Sequence, residues 1–552
     1  MIIRMRDTWT GPSLPQNSTG AARRAARAWV ANWVGLAVIL GIFVAVARGF
    51  AGLQTVWLDE TAQLAGIGLG PMGVTRWLTG TPQAFDWAVP SDRMPPLSYY
   101  YHQMWTMVVG TSVLSLRWSG IVCGVGAVAL TYATARRAYG PGAAIVAAAF
   151  IGLAPAVIEK AVEIRAYPLY LLFAAAALYA TVRHVQAARG HLWLILAAAL
   201  AGATLLTHLQ GLVFAIALLL AVAVHHRSER RSLAPLIAGL GTVAAALLLV
   251  TPFIGHSLAV SRSGAPFAIA GNLASLHDLA WSLASNRINL DVWALVVLPP
   301  VGALFVIAAA VTGRVVAGRS SSPVTRVLLW LVGFYLLGVV AECLVVTAFR
   351  PGLFHYNLPM VPTLALLFGS IVAIPDTRRR RVALTGATIL LACQAVGDVR
   401  MVGEGQRVAH GIDMRLVQRI ERLGPDRVAV IHEAGSNGAD CQVYYPLAYF
   451  VGGSLNQWVY DEKARWFWQY SDTRLTTPAS LQTPHVIVVR IEAGDPFRST
   501  ATAPTPMARG LAAQAFDDSR DWRFVESFTY EAYFKMTAWV FDRVEPVRTD
   551  RK

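Results

Sequence analysis

Charged residues are scarce in this sequence. They make up 14% of its 552 residues, whereas about 25% is usual in soluble globular domains. Acidic residues are the scarcer kind, with 32 Asp and Glu against 47 Lys and Arg. This composition excludes an ordinary soluble domain. It also makes an acidic side chain beside an apolar segment a candidate for function.

Cysteine is scarce as well. Cys123, Cys343 and Cys393 lie in apolar runs and Cys441 stands alone, which excludes a disulfide framework and a metal-binding spacing of cysteines. The net charge of +15 would suggest nucleic acid in a soluble protein, but no basic patch is interleaved with aromatic residues. We therefore expect no nucleic-acid partner, and we interpret the arginines as topology signals on cytoplasmic loops.

Apolar residues are abundant: 55% of the chain is hydrophobic and the mean hydropathy is +0.48. Runs long enough to cross a bilayer predict about eleven transmembrane helices. The runs lie at 29–50, 118–135, 142–158, 167–182, 192–206, 209–224, 235–255, 291–312, 327–348, 356–374 and 382–398. A basic segment, 1–28, precedes the first run. Because that run is too long for the apolar part of a cleaved signal peptide, we expect a cytoplasmic N-terminus.

The arginine clusters test this count. With the N-terminus inside, every cluster between the runs falls on the cytoplasmic side, as the positive-inside rule requires. The clusters are Arg136–Arg137, Arg183 with Arg189, Arg227 to Arg231, Arg314 to Arg326 and Arg378 to Arg381. The count holds only if Pro95–Val109, which is short and rich in Tyr and Trp, lies on the outer membrane face as an interfacial helix.

The composition changes near residue 400, where charges become more frequent. The predicted elements there are two strands, a helix and a hairpin: Arg427–His432, His485–Arg490, Met414–Leu423 and Phe524–Phe541. We therefore predict a transmembrane domain at 29–399, with a first outer loop at 51–117, and a soluble α/β domain at 400–552. Eleven crossings would place the α/β domain in the periplasm.

Two adjacent carboxylates, Asp59 and Glu60, stand at the mouth of the first span. A carboxylate at this face can take a proton from an incoming hydroxyl, and cations can stabilise a departing phosphate. The predicted outer loops hold both kinds of residue: Asp86, Asp92, Arg93, His102, Arg117, Glu159, Lys160, Glu163, Arg165, Tyr167, His208, Arg350, His355 and Tyr356. Because the bilayer delivers lipids to such a face, the pattern favours a reaction on a phosphorylated lipid.

Short motifs follow one another along this outer side between residues 30 and 375. They are Trp57-Leu58-Asp59-Glu60, Arg93-Met94-Pro95-Pro96-Leu97, Leu116-Arg117-Trp118-Ser119-Gly120, Glu163-Ile164-Arg165-Ala166-Tyr167, Thr207-His208 and Phe354-His355-Tyr356-Asn357-Leu358-Pro359. Together they resemble the GT-C glycosyltransferases, in the branch of protein O-mannosyltransferases and aminoarabinose–lipid A transferases.

The resemblance implies a polytopic α-helical GT-C fold in a bacterial inner membrane. It also implies an enzyme that moves a sugar from a polyprenyl-phosphate donor to a hydroxyl of a lipid, glycan or protein, with inversion at the anomeric carbon. Membrane lipids would surround the enzyme, and its active site would face the periplasm. The role of the C-terminal domain stays open, and acceptor binding is one option.

The resemblance also implies roles for individual residues. Asp59 would be the general base, and Glu60 would orient the acceptor or a metal. Met94 stands where relatives have His or Lys, and Arg93 is the candidate to replace it. The expected contacts to the donor phosphate are Arg117, Arg165, Arg93, Arg350 and His355, and those to the substrate are Glu163, Tyr167, His208 and Tyr356. Metal dependence varies across this group, so Mg²⁺ or Mn²⁺ stays an option and no metal ligand is assigned.

Several of these residues also fit simpler structural roles. Arg117 and Arg165 could be interfacial cations whose side chains snorkel toward water. Glu163 could pair with Lys160 or with Arg165, and His208 could be a hydrogen-bonded residue at a helix break.

The sequence is also compatible with different functions. The main alternative is a polytopic transporter or lipid flippase, which would show internal repeats and charges at the membrane midplane; neither is visible in this sequence. A second alternative is a non-catalytic subunit whose external domain binds glycan. Transfer of a different lipid-phosphate group would require a nucleophilic Thr and a metal cluster, which residues 400–552 lack.

Overall fold

The structure is a computed structural model that describes most of the chain. The described residues are 19–90, 92–187, 191–262, 322–345, 354–374, 377–403, 411–433, 441–453, 455–460, 474–475, 481–493, 509–531 and 534–544. Helices dominate residues 19–403, as the apolar composition predicts. In chain order they are α1 (Thr19–Ala51), α2 (Leu58–Gly68), α3 (Gly70–Leu78), α4 (Leu97–Val109), α5 (Val113–Tyr139), α6 (Pro141–Gly152), α7 (Pro155–Ala161), α8 (Tyr167–Gln186), α9 (His191–Thr207), α10 (Gly211–Ser228), α11 (Ala234–Arg262), α12 (Pro323–Val345), α13 (Met360–Gly369) and α14 (Thr377–Gly403).

Among the described residues, six helices are long and apolar enough to cross a bilayer, or up to seven if the bent pair α6–α7 is one span. The predicted apolar runs coincide with helices, except that the run 291–312 lies outside the described residues. The pair α6–α7 bends by 63°, because Pro155 at the start of α7 cannot continue the hydrogen-bond ladder of α6. The total of eleven crossings stays a prediction.

Small residues let the helices approach closely. Gly120 of α5 faces the carbonyl oxygen of Ala161 in α7, and a Cβ at this glycine would overlap that oxygen. Gly369 of α13 makes the same kind of approach to Ala143 of α6. Such contacts are typical of membrane helices, which gain little from apolar burial against one another and associate through close packing. This packing places α7 and the turn that follows it beside α5.

Three short helices, α2, α3 and α4, fill the connection between α1 and α5. The predicted helix after Pro95-Pro96 is present as α4. Its 13 residues give a length of about 20 Å, which is too short for a hydrocarbon core of about 30 Å. Its C-terminal turns expose Met104, Met107 and Val108. An apolar exposed end suits contact with lipid, and the interfacial position of α4 stays a prediction.

A six-stranded sheet forms the C-terminal part, in agreement with the predicted α/β domain. Its strands are β1 (Val428–Glu433), β2 (Asn456–Tyr460), β3 (Arg474–Leu475), β4 (His485–Ala493), β5 (Trp522–Glu531) and β6 (Phe534–Arg543), and its helices are α15 (Met414–Leu423), α16 (Cys441–Val451) and α17 (Leu511–Asp517). The strand order is β3-β2-β1-β4-β6-β5. Strands β1 to β4 pair in parallel, and β5 and β6 form an antiparallel hairpin beside β4.

The burial of each strand determines whether its sequence pattern is recognisable. β1 and β4 are buried on both faces, with Val430 and Ile487 in one core and Ile431 and Val488 in the other. Strands of this kind read as continuous apolar runs, and both were predicted, as were α15 and the hairpin. β2, β3, α16 and α17 were not predicted. The residues of β2 alternate between buried and half-buried, and its five residues include Asn456 and Gln457. Only its pairing with β1 and β3 identifies it as a strand.

Candidate active site

Asp59 and Glu60 lie in the first turn of α2, which begins at Leu58 directly after the extended residue Trp57. Acidic side chains are stabilised at a helix N-terminus by the unpaired backbone N–H groups and the helix dipole. Successive helical residues point in different directions, and the solvent exposure of these two side chains differs accordingly. The Asp59 side chain is 26% exposed, whereas the Glu60 side chain is fully buried. The two carboxylates therefore have different surroundings.

Glu60 is held by Arg117 of α5. Arg117 Nη1 donates to Glu60 Oε1 at 2.8 Å and Nη2 donates to Oε2 at 3.0 Å. The backbone N–H of Ile164 also donates to Glu60 Oε1, at 2.9 Å. Arg117 donates further to the carbonyl oxygens of Val162 and Thr55. This bidentate ion pair is among the stronger arrangements of arginine and carboxylate. With the backbone contacts, it connects α2, α5 and the turn after α7.

Arg165, in the turn before α8, binds Asp59 and Asp92. Its Nη1 donates to the Asp59 carbonyl oxygen at 2.9 Å and to Asp92 Oδ2 at 3.0 Å. Its Nη2 lies 3.8 Å from Asp59 Oδ2. Burial alone would lower the pKa of Arg165, but the charges of Asp92 and Asp59 outweigh it and raise that pKa well above its usual value. The guanidinium thus stays charged beside the more exposed carboxylate.

Asp92 belongs to the same charged cluster through its ion pair with Arg165, although its sequence context predicted no role for it. Burial alone would raise its pKa, but the charge of Arg165 and hydrogen bonds from Tyr99 and from the Arg93 backbone outweigh it and hold that pKa below its usual value. The Arg93 N–H donates at 2.7 Å and the Tyr99 hydroxyl also donates. The one signal in the sequence was its position directly before the Arg93-Met94-Pro95-Pro96 motif.

Aromatic rings form the other wall of the site. His208, between α9 and α10, lies 5.2 Å from the ring of Tyr170 and 5.0 Å from that of Tyr356. Tyr167 lies 5.1 Å from the His355 ring. Burial, together with the charge of Arg165, lowers the pKa of His208 to about 3, so this ring is neutral. The backbone N–H of Gln210 donates to its Nδ1 at 3.2 Å, which places the proton on Nε2.

The remaining predicted residues are distributed as follows. Glu163 is buried and binds Lys160, the ion pair that the sequence left open as an alternative to a substrate contact. Lys160 also binds Glu159 at 2.9 Å. Arg93 is half-buried, and its charge adds to the lowering of the His208 pKa. Arg350 lies outside the described residues.

The structure therefore brings most predicted site residues to one place, where α2, the turn after α7 and the 208 and 355 loops meet. Among the described residues, no three His, Cys, Asp or Glu side chains are grouped so as to hold a metal ion. The Asp92 carboxylate already accepts hydrogen bonds from Tyr99, Arg93 and Arg165. A charged centre with one partly exposed carboxylate can accept a proton while the nearby guanidinium balances charge.

Comparison with known proteins supports a transferase. Residues 93–256 match the family described as dolichyl-phosphate-mannose-protein mannosyltransferase, a range that includes Arg117, Arg165 and His208 and begins after Asp59. No curated protein sequence matches the chain.

Solved structures are similar over most of the chain. ArnT from Cupriavidus metallidurans in the apo state is 12% identical with a TM-score of 0.52, and the match covers 94% of this chain and 98% of that one. ArnT from the same organism bound to undecaprenyl phosphate is 12% identical with a TM-score of 0.49, covering 92% and 98%. The oligosaccharyltransferase AglB from Archaeoglobus fulgidus, in complex with an inhibitory peptide and a dolichol-phosphate, is 13% identical with a TM-score of 0.42, covering 76% and 64%.

The match to apo ArnT shows a shared fold, and the family match lies on the segment that carries four of the six motifs. The resemblance inferred from the sequence is confirmed, and the transporter alternative is not needed to explain the helices. The chain is a membrane glycosyltransferase with the GT-C fold.

Proposed function

We propose that this enzyme transfers a sugar from a polyprenyl-phosphate-linked donor to a hydroxyl of a lipid, glycan or protein at the periplasmic face of a bacterial inner membrane. The observation that carries the proposal is the contrast within the Asp59–Glu60 pair. Asp59 is partly exposed beside the Arg165 guanidinium, whereas Glu60 is buried and bound at both oxygens by Arg117. The family match to residues 93–256 supports a lipid-phosphate sugar as the donor.

Asp59 acts as the general base in this mechanism. Its carboxylate takes the proton of the acceptor hydroxyl, and the oxygen of that hydroxyl attacks the anomeric carbon of the sugar. The bond between that carbon and the phosphate oxygen breaks as the new bond forms. The electron pair leaves with the polyprenyl phosphate, and the configuration at the carbon inverts.

Cations near Asp59 stabilise the phosphate as its charge develops. We assign this role to Arg165 and Arg93, with His355 as a further candidate. Arg350, which lies outside the described residues, is a candidate on its sequence position alone. Arg117 receives a different role from the one that the resemblance implies. Because its guanidinium is buried against Glu60 and two carbonyl oxygens, we propose that Arg117 and Glu60 position α2 rather than contact the donor. The neutral His208 offers its Nε2–H to the substrate, beside Tyr167 and Tyr356.

The test uses the full-length protein in native membrane vesicles, which supply acceptors. A panel of undecaprenyl-phosphate-linked hexoses and pentoses is added, and the release of undecaprenyl phosphate is followed by thin-layer chromatography. We expect release from at least one donor by the wild type and none by Asp59→Asn. A wild-type protein that releases undecaprenyl phosphate from no donor, or an Asp59→Asn variant that is as active as wild type, would contradict the proposal.

A further inference from the structure

The C-terminal sheet region contacts the segment that carries Asp59. Leu58, the residue before Asp59, is buried in a cluster with Tyr444 and Tyr445 of α16, and Trp57 and Ala88 pack against this cluster. Near it, the Trp87 ring meets the Tyr449 ring edge-on, with centroids 5.5 Å apart. The start of α2 therefore has part of its apolar support from the C-terminal region and not from the membrane helices.

A chain of polar contacts joins the same two parts. The Thr55 hydroxyl donates to the Ile412 carbonyl oxygen at 2.9 Å. The Thr55 carbonyl oxygen accepts from Arg117 Nη2 at 3.2 Å, and Arg117 holds Glu60. A displacement at Ile412 would therefore act through Thr55 and Arg117 on the residue next to Asp59.

Two glycines allow this close approach. A Cβ at Gly411, which has φ +120°, would overlap the Thr55 hydroxyl and lie 2.8 Å from the Thr55 carbonyl oxygen. A Cβ at Gly453 would overlap the Asp86 carbonyl oxygen and lie 3.1 Å from its carbon. Asp86 belongs to the same loop as Asp92, the partner of Arg165. Both glycines thus sit where the C-terminal region touches the backbone of the first loop.

We propose that the C-terminal domain is a positioning part of the active site, which holds the segment 55–60 and the loop 86–92 so that Asp59 faces the acceptor. The proposal rests on the proposed role of Asp59. The positioning residues are Thr55, Gly411 and Gly453, and none of them contacts substrate. This role differs from acceptor binding by the domain, because a positioning defect lowers the rate of the chemical step even when the substrates are saturating.

The first test compares two neighbouring glycines. Gly453→Ala introduces a Cβ against Asp86, whereas a Cβ at Gly452 meets no atom within 4 Å although its φ is +93°. Gly452→Ala is therefore the control for strain within the domain. A displaced base costs up to about a hundredfold in rate. We expect Gly453→Ala to lower kcat at least about tenfold, with KM for the undecaprenyl-phosphate sugar unchanged, and Gly452→Ala to keep the wild-type kcat.

A second pair tests the Thr55 contact. Thr55→Ala removes the hydroxyl that reaches Ile412, and Thr55→Ser keeps it. We expect Thr55→Ala to lower kcat and Thr55→Ser to keep kcat close to the wild-type value. Gly411→Ala should act like Gly453→Ala, whereas Gly424→Ala has similar backbone strain at φ +90° but meets only side-chain atoms of its own turn, at 3.3 Å or more. It should leave kcat unchanged.

Hydrogen–deuterium exchange of residues 55–68 supplies a readout that does not depend on turnover. We expect faster exchange in this segment for Gly453→Ala and Thr55→Ala than for their controls. Wild-type kcat and exchange in both variants would overturn the proposal, as would a rise in the acceptor KM alone. If the wild type turns over no donor, the proposed function fails, and the exchange comparison still decides whether the domain holds the Asp59 segment.

Discussion

Arg117 holds both carboxylate oxygens of Glu60, at 2.8 and 3.0 Å, and neither side chain is exposed to solvent. This ion pair separates two carboxylates that are adjacent in sequence. Glu60 connects α2 to α5 through Arg117, whereas Asp59 is partly exposed beside Arg165. The roles of these residues, and of the buried groups around them, can each be tested by substitution.

Replacing Asp59 by Asn should abolish transfer while the protein stays folded. Asn keeps the shape of the side chain and removes the base, and general base catalysis contributes about 10²–10⁴-fold to rate. The measurement is the release of undecaprenyl phosphate, alongside the thermal unfolding midpoint in detergent. Asn at this partly exposed position should leave that midpoint close to wild type. Loss of activity together with unfolding would not assign a catalytic role to Asp59.

Replacing Arg117 by Met should destabilise the protein strongly. Glu60 would then be a buried charge without its partner, which costs about 3–5 kcal/mol in comparable cases. The matched control is Arg326→Met, because the Arg326–Glu229 pair is exposed at both ends and such pairs contribute about 0–1 kcal/mol. Thermal unfolding in detergent compares the two variants. Equal effects would show that the Glu60–Arg117 pair is not a stabilising contact.

Replacing Asp92 by Asn should lower kcat while donor binding is retained. Without the Asp92 charge, Arg165 is freed to move toward Asp59, which weakens that carboxylate as a base and removes the guanidinium from its set position. Asp86→Asn, an exposed carboxylate of the same loop, is the control. The kinetics of undecaprenyl phosphate release decide between them, and an Asp92→Asn variant with the wild-type kcat would remove Asp92 from the site.

His432 should make the C-terminal domain sensitive to acid. Burial lowers the pKa of this β1 residue to about 4 from its usual 6.5, so the folded state keeps it neutral while the unfolded chain takes up a proton. The contribution of His432 to the free energy of unfolding is therefore fully retained above pH 6.5, and it is lost as the pH falls toward 4. Between pH 7 and pH 5 the loss is about 2 kcal/mol.

Exchange protection of residues 428–433 in the full-length protein, corrected for the intrinsic effect of pH, measures this loss. His432→Asn should have a smaller dependence on pH than wild type. An unchanged dependence would assign the acid sensitivity to other groups.

Composition and periodicity were sufficient for the coarse architecture. Long apolar runs predicted the membrane helices, because a segment that faces lipid must be apolar over its whole length. β1 and β4 were predictable for a related reason, since both faces of each strand are buried. The break between α6 and α7 was not predicted, although Pro155 lies inside the run 142–158. Its effect depends on whether the neighbouring helices leave room for a bend.

The site was predictable in its residue types but not in its pairings. The order of the motifs predicted that Asp59, Arg165, His208 and Tyr356 would share one side, since alternate loops of a polytopic chain share a side. In the structure Arg165 lies beside Asp59, and the rings of His208 and Tyr356 are 5.0 Å apart. Which cation meets which carboxylate depends on contacts such as that of Glu60 with Arg117, 57 residues away. Only the folded chain decides this, because neighbouring helical residues point in different directions. Tertiary packing therefore joined Glu60 to Arg117, left Asp59 partly exposed beside Arg165 and added Asp92 as a second partner of Arg165.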